Sequence, residues 1–302
     1  MATCELCPRM CGADRENGER GICGANADVR VARVSLHAFE EPCISGTRGS
    51  GTIFFSGCSL GCIFCQNRAI SREAAGKIMD RRALGEAMLA LQKAGAHNIN
   101  LVTATHFADR VAEVLSDVKP LLHIPVVYNT SGYERVETLR MLEGLVDVYL
   151  PDFKYASRAL AEKYSSAPDY PEVAARAIAE MHRQTGPVIL DGDGMIVRGT
   201  VVRLLVLPSH RADAMAVLDR LATAVPPNEV RLSLMSQYTP EFALDTPHRE
   251  LHRRVTRFEY ESVIAHALGL GFDGYTQERS SATAAYTPSF SDSLADNFLE
   301  DL

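Results

Sequence analysis

Three closely spaced cysteines follow a short apolar run and have the spacing of a metal-binding loop. The run 52–56 is strand-like, and Cys58, Cys62 and Cys65 come directly after it in the pattern C-x3-C-x2-C. Three thiolates within eight residues can surround one iron–sulfur cluster, and a four-iron cluster held by three cysteines keeps one iron open. By analogy with zinc, an open coordination position separates a catalytic metal site from a closed structural one.

Spacing alone leaves other centres open for these three cysteines. They could bind zinc with a distant fourth ligand, or hold an electron-carrying cluster with a fourth cysteine such as Cys43. Their position favours the reactive site, because the carboxyl ends of parallel strands carry the active site in α/β folds. Gly57 and Gly61 would let the backbone turn close to the metal centre. Cys43 itself we interpret as a buried apolar thiol.

A second group of cysteines supplies four possible metal ligands where the first supplies three. Cys4, Cys7, Cys11 and Cys23 form the pattern C-x2-C-x3-C-x11-C. Four thiolates complete either a tetrahedral zinc site or a saturated four-iron cluster, and the spacing does not choose between them. With no open position, a role in folding is favoured. The alternative is an auxiliary cluster that relays an electron or binds substrate.

The composition limits the class of protein. The chain has 302 residues, 46% hydrophobic and 23% charged, which excludes a disordered or fibrous protein. All eight cysteines lie within the first 65 residues, whereas a disulfide framework would be spread over the fold. The net charge of −7 does not favour nucleic-acid binding. No apolar stretch could span a bilayer, and the first residues lack the features of a signal peptide, so we predict a cytoplasmic protein.

The rest of the chain alternates between strand-like and helix-like segments. The predicted strands are 52–56, 98–103, 124–129, 146–151, 200–207 and 230–236. Helical patterns lie between them, at the spacing of Leu84, Met88 and Leu91 and over residues 108–118, 135–142, 171–186 and 212–224. Six strand–helix units in a row predict parallel strands with right-handed crossovers. We expect either an incomplete (β/α)6 barrel or an open doubly wound sheet, with the site at the carboxyl ends of the strands.

The cysteine loop, together with motifs at later strand ends, resembles the radical S-adenosylmethionine (SAM) enzymes. The resemblance covers nearly the whole chain and is strongest to the branch similar to pyruvate formate-lyase activating enzymes. It rests on the loop with the aromatic Phe64 before its last cysteine, and on the segments 56–67, 98–103, 127–132, 150–154 and 234–238. It implies a [4Fe-4S] cluster whose open iron binds SAM. One electron then cleaves SAM to methionine and a 5′-deoxyadenosyl radical, which abstracts a hydrogen atom.

The resemblance also implies a set of SAM contacts at the strand ends. The predicted cofactor-binding residues are Phe64, Thr103, Thr105, Asn129, Ser131, Asp152, Lys154, Arg203 and Gln237. Lys154 corresponds to a lysine that contacts the SAM carboxylate. Related enzymes often have Gly-Gly-Glu where this chain has residues 103–106, so only backbone contacts carry over there. They also hold a monovalent cation with two aspartates, and here Asn129 replaces the first of them.

The resemblance and the composition together predict three regions. These are a cysteine-rich metal-binding module over residues 1–50, a partial barrel over 51–280 and an acidic tail over 281–302. The implied partners are a protein substrate, as in glycyl-radical activation, and a flavodoxin- or ferredoxin-type electron donor. The alternatives are radical modification of a small molecule or peptide, and a non-catalytic metal-binding or electron-transfer protein.

Overall fold

The computed structural model describes residues 3–73 and 75–277. The predicted acidic tail therefore lies outside the described residues. In the part of the chain that is described, no helix combines the length and the apolar character needed to cross a membrane.

The strands, in chain order, are β1 (Arg30–His37), β2 (Ser50–Phe55), β3 (Lys77–Ile78), β4 (Ile99–Val102), β5 (Val126–Thr130), β6 (Val148–Pro151), β7 (Ile189–Leu190), β8 (Ile196–Leu205), β9 (Arg231–Met235) and β10 (Asp273–Thr276). The α-helices are α1 (Pro42–Ser45), α2 (Arg68–Glu73), α3 (Arg81–Lys93), α4 (Ala108–Val118), α5 (Val136–Met141), α6 (Arg158–Ser165), α7 (Tyr170–Thr185), α8 (Arg211–Ala224) and α9 (Arg257–Gly269).

One sheet joins the strands in the order β10-β9-β8-β6-β5-β4-β2-β1-β3, with β7 paired to β8. The seven strands from β10 to β2 in this order run parallel, and β1, β3 and β7 pair antiparallel. Among the described residues no pairing joins β10 to β3, so the sheet is open. The predicted incomplete α/β barrel is therefore confirmed, with parallel strands at its centre.

The six predicted strands correspond to β2, β4, β5, β6, β8 and β9, and the predicted helices to α3, α4, α5, α7 and α8. The structure adds a seventh parallel strand, β10, and an antiparallel extension formed by β1 and β3. β1 lies within the predicted cysteine-rich module, residues 1–50, yet pairs with β2 along its length.

The two faces of the sheet pack against different partners. Ile53, Leu101 and Tyr128 lie side by side on neighbouring strands and face the outer helices. They pack in one apolar cluster with Leu84 and Leu91 of α3. Full burial of such a side chain stabilises the fold by about 1.5–3 kcal/mol. Because side chains alternate along a strand, the neighbouring residues face the concave inner side of the sheet.

The inner side of the sheet is filled by the segment that joins β1 to β2. Cys43 and Ile44 of α1 pack in one cluster with Val127, Val148 and Val201 of the parallel strands. Cys43 is 2% exposed, so its predicted role as a buried thiol is confirmed.

A buried carboxyl group ties together the ends of β4 and β5. Glu134 is 1% exposed and accepts hydrogen bonds from the hydroxyls of Thr105 and Thr130. Burial raises the pKa of Glu134 to about 7, although both hydroxyls act in the opposite direction. In the folded protein Glu134 therefore favours its protonated form below about pH 7.

This pKa gives the fold a pH dependence. A carboxyl group with a raised pKa stabilises the folded chain below its unfolded pKa of about 4.5, and this contribution is lost as the pH rises to about 7. Each pKa unit corresponds to about 1.4 kcal/mol, so the effect is roughly 3 kcal/mol at most. We expect Glu134→Gln to remove this loss of unfolding free energy between pH 5 and pH 8, measured by urea denaturation of the metal-free protein.

The matched control is Glu137→Gln, because Glu137 lies on the exposed side of the following helix. This variant should keep the pH dependence of the unmodified protein. An equal loss of stability in the Glu134→Gln variant would contradict a protonated, buried Glu134.

Candidate metal and cofactor site

The predicted site residues meet in one cavity at the carboxyl ends of the parallel strands. The cavity has a volume of about 240 Å³. The predicted residues that line it are Cys58, Cys62, Cys65, Phe64, Thr103, Asn129, Ser131, Asp152, Lys154, Arg203 and Gln237. Thr105 does not line it, because its side chain is fully buried behind the sheet end against Glu134.

The three thiols of the C-x3-C-x2-C loop each have a polar neighbour. The Gly61 amide donates to Cys58 Sγ at 3.4 Å, and hydroxyls donate to the other two thiols: Ser165 to Cys62 at 3.2 Å and Ser71 to Cys65 at 3.6 Å. Groups that donate hydrogen bonds to metal ligands orient those ligands.

Burial controls the protonation of these thiols. It raises the pKa of Cys62, although the Lys154 ammonium opposes the shift. It raises the pKa of Cys65 to about 11, with Cys58 and Cys62 adding to the shift. Both thiols therefore keep their protons until a cation replaces them, and metal binding would release protons.

The arrangement fits a multi-iron cluster. In residues 3–73 and 75–277, no three His, Cys, Asp or Glu side chains, those of both cysteine groups included, lie close enough to hold a single metal ion. The three cysteine ligands of a four-iron cluster bind three different irons, so such a cluster needs thiols that surround a volume. Cys58, Cys62 and Cys65 line one shared cavity and meet this requirement.

Phe64 fixes the loop to the barrel. Its ring is 6% exposed and packs edge-on against Tyr164 and Tyr238, at centroid distances of 6.2 and 6.0 Å. One face of the cavity is therefore apolar and rigid next to the last cysteine of the loop.

Two cations and two carboxylates form the polar floor of the cavity. Lys154 Nζ lies 2.6 Å from Asp152 Oδ2, and Arg203 Nε lies 3.0 Å from Asp152 Oδ1. Burial alone would raise the pKa of Asp152, but Arg203 and Lys154 hold it below its usual value. Burial alone would lower the pKa of Lys154, but the Asp152 carboxylate outweighs it and the pKa is raised. Asp152 is therefore ionised and Lys154 charged.

Glu40 is the floor residue that the sequence analysis missed. It lies between β1 and α1, and its Oε2 is 3.2 Å from Arg203 Nη1. The side-chain amides of Asn100 and Asn129 donate to its Oε1 at 3.2 and 3.3 Å. Burial raises the pKa of Glu40, while Arg203 and the two amides oppose the shift. No motif marks this residue, because it reaches the cavity from a connecting segment and not from a strand end.

Arg203 also contacts the side chain at position 129. Its Nη2 donates to Asn129 Oδ1 at 2.5 Å, while its Nε binds Asp152. The guanidinium thus lies between Asn129 and Asp152, the two positions that the sequence analysis compared with a cation site. A positively charged side chain occupies this place, and a neutral Asn129 suits it.

The remaining predicted contacts lie at the rim. The side chain of Gln237 accepts a hydrogen bond from Gln277 at 3.1 Å, and its carbonyl oxygen accepts from Gln66 at 3.2 Å. His106, which we did not predict as a ligand, is 2% exposed and donates from Nε2 to the Ser56 carbonyl at 2.7 Å. Burial lowers its pKa to about 4, so it is a neutral support for the residues before Cys58.

The four amino-terminal cysteines also come together, next to the first loop. A side chain on Gly21 would lie 3.0 Å from Cys11 Sγ and 3.5 Å from Cys23 Sγ, so these two thiols flank it. Burial raises the pKa of Cys7 to about 12, and Cys23 and Cys4 add to the shift. Burial also raises the pKa of Cys23, with Cys4 and Cys11 contributing. The four thiols are therefore close enough to influence one another.

Comparisons with known proteins agree with this geometry. A sequence model of the radical SAM superfamily matches residues 52–221. An uncharacterized protein of Methanocaldococcus jannaschii is 29% identical over 268 residues, which cover 86% of this chain and 73% of that protein.

A solved structure shows a similar fold. The crystal structure of Streptococcus suis SuiB bound to precursor peptide SuiA matches with a TM-score of 0.50 and 10% identity, over 73% of this chain and 46% of SuiB. The chain spans less than half the length of SuiB, and the likeness concerns the fold alone.

The superfamily match extends over more than half of the chain and includes both the C-x3-C-x2-C loop and Arg203. The chain therefore belongs to the radical SAM superfamily, whose members use a [4Fe-4S] cluster and SAM.

Proposed function

We propose that this protein cleaves SAM reductively at a cluster bound by Cys58, Cys62 and Cys65, and abstracts a hydrogen atom from a protein or peptide substrate. The observation that carries the proposal is the single cavity in which the three thiols face the charged pair Lys154–Asp152. When bound, the cluster supplies one electron to SAM and one open iron to hold it. A flavodoxin- or ferredoxin-type protein would deliver that electron.

The residues of the cavity would hold SAM by its polar groups. Lys154 is a point charge suited to the SAM carboxylate, and its present partner Asp152 keeps it charged. Thr103, Ser131 and Gln237 supply polar groups at the rim, while Phe64 supplies an apolar wall. Asp152 remains paired with Arg203 when Lys154 turns to a ligand, so no carboxylate would be left without a partner.

The cavity mouth supports a macromolecular substrate. The ring of Phe39 is 57% exposed and packs edge-on against His37, which contacts Phe54 in the same way. These three aromatic residues line the cavity from β1, β2 and the segment after β1. SuiB, a protein of similar fold, is bound to a precursor peptide in its crystal structure.

The first candidate product of the hydrogen abstraction is a glycyl radical on another protein, as made by activating enzymes. Modification of a peptide is the second candidate, and the fold of SuiB favours it. For the amino-terminal cysteines we infer zinc or a saturated iron–sulfur cluster, and a zinc ion would require their thiols to move closer together than they lie in the structure. The acidic charge of the chain gives no support to a nucleic-acid substrate.

The central prediction concerns SAM cleavage. Anaerobically reconstituted protein should form 5′-deoxyadenosine from SAM and dithionite, and Cys62→Ala should abolish it because one ligand of the cluster is lost. Mass spectrometry measures the product. Cys43→Ala is the matched control, because Cys43 is buried beneath the cavity and should leave the product unchanged. Absence of product from a fully iron-loaded protein would disprove the proposal.

A second prediction concerns the SAM carboxylate. Lys154→Gln should raise the KM for SAM about 10- to 100-fold, because hydrogen bonds to charged groups contribute about 1.5–3 kcal/mol. The matched control is Lys163→Gln, since Lys163 of α6 is partly exposed, is paired with Glu250 and does not line the cavity. Initial rates of deoxyadenosine formation measure both variants. An unchanged KM in Lys154→Gln would exclude Lys154 as a SAM ligand.

A third prediction concerns metal content. Elemental analysis of the reconstituted protein should find metal beyond one four-iron cluster. About four irons and one zinc would indicate a structural amino-terminal site, and about eight irons an auxiliary cluster. A protein that holds four irons and no other metal would contradict a second metal site.

A further inference from the structure

We propose that Arg9 is a positioning residue through which the amino-terminal four-cysteine loop sets the cluster affinity of the Cys58–Cys65 loop. This inference rests on the proposed function, because both loops are proposed there as metal sites. It goes further in making the two sites interdependent. Three groups of contacts between the loops carry it.

The guanidinium of Arg9 binds the main chain of the open-site loop. Its Nε donates to the Ser59 carbonyl at 2.9 Å and its Nη2 to the Leu60 carbonyl at 3.2 Å. Both carbonyls lie between Cys58 and Cys62. Arg9 itself lies between Cys7 and Cys11, so one side chain joins the interiors of the two cysteine motifs.

The same guanidinium also fixes a residue behind Cys62. Its Nη2 donates to the Ser165 carbonyl at 2.8 Å, and the hydroxyl of Ser165 donates to Cys62 Sγ at 3.2 Å. Arg9 Nη1 donates to the next carbonyl, that of Ser166. The guanidinium carbon lies 5.3 Å from the centre of the Tyr133 ring, which restricts its position further. Arg9 thus holds Cys62 from two sides.

A main-chain contact joins the loops at Cys58. The amide of Cys58 donates to the carbonyl of Cys23 at 3.1 Å. The preceding residue, Gly57, has φ +95°, and a Cβ there would lie 2.8 Å from the same carbonyl oxygen. The two loops therefore touch at the first ligand of the open site, with no room for a side chain.

These contacts imply thermodynamic coupling between the sites. A metal bound by the four amino-terminal cysteines would restrict the backbone that carries Arg9 and the Cys23 carbonyl. The open-site loop would then lose less conformational freedom when its own cluster forms. Such coupling is reciprocal, so each metal would raise the affinity for the other.

The first test replaces the planar guanidinium of Arg9 by another cation and so keeps its charge. A lysine has a single ammonium and cannot bind several carbonyls in one plane. We expect Arg9→Lys to raise the iron concentration that half-loads the open cluster by about 10- to 100-fold, as for other changes to residues that orient metal ligands. Anaerobic iron titration, followed by the SAM-dependent change in the EPR spectrum of the reduced cluster, reports the open cluster alone. Arg20→Lys, an exposed arginine on the same segment, should leave the titration unchanged.

The second test asks whether the coupling runs through the amino-terminal metal. Cys11→Ala removes one of its ligands and touches none of the Arg9 contacts. It should weaken the open cluster in the same direction, and Arg9→Lys should add little in the Cys11→Ala background, because coupled residues are not additive. Urea denaturation of the metal-free variants separates this effect from a loss of overall stability.

The third test uses a pair of glycines with similar backbone strain. Gly57 and Gly144 have φ of +95° and +80°, but a Cβ on Gly144 meets no atom within 4 Å. Gly57→Ala should weaken the open cluster because it separates Cys58 from Cys23, whereas Gly144→Ala should not.

The outcomes separate the two proposals. If the unmodified protein forms no SAM-responsive cluster, the proposed function and the coupling both fail. If it forms the cluster and Arg9→Lys and Cys11→Ala titrate as it does, the function stands and the coupling is disproved.

Discussion

The buried guanidinium of Arg203 is the interaction on which the cavity depends. It lies on the inner face of β8 and contacts Asp152, Asn129 and Glu40, which come from three different parts of the chain. Without it, two buried carboxylates would face each other with only Lys154 to balance them, and an uncompensated buried charge is strongly destabilising. With it, Asp152 keeps a cationic partner, so that Lys154 can bind a ligand while Asp152 stays neutralised.

The central sheet could be predicted because its strands are short apolar runs separated by amphipathic helices. Val126–Thr130 and Val148–Pro151 are buried throughout, as in a parallel sheet covered on both faces. The cavity residues at these strand ends followed from the same rule about carboxyl ends, and the cysteine loop was found because its spacing is a chemical requirement. The SAM contacts rest on resemblance and stay predictions.

What the sequence did not reveal depends on contacts between distant segments. β1 has a usable signal, since Ala32, Val34 and Leu36 alternate with Arg33, Ser35 and His37, but it stands among cysteines and turn residues. β10 is four residues long and mostly exposed, so its pairing with β9 has no hydrophobic pattern. Glu40 and Arg9 have no local signal, because each acts on groups more than 40 residues away. The side chain of Thr105 turns into the core, which the sequence did not reveal, and the predicted backbone contact there stays a prediction.

The segment that joins β1 to β2 has a consequence for how such chains can be built. It supplies Glu40 to the cavity floor, and α1 fills the concave side of the sheet down to Cys43, which contacts Tyr275 of the last strand. The amino-terminal region is thus wound into the barrel and not appended to it. A gene fusion or a recombination event could not exchange this region for another at residue 50 without also emptying the barrel interior. The segment between β1 and β2 and the barrel would have to be inherited together.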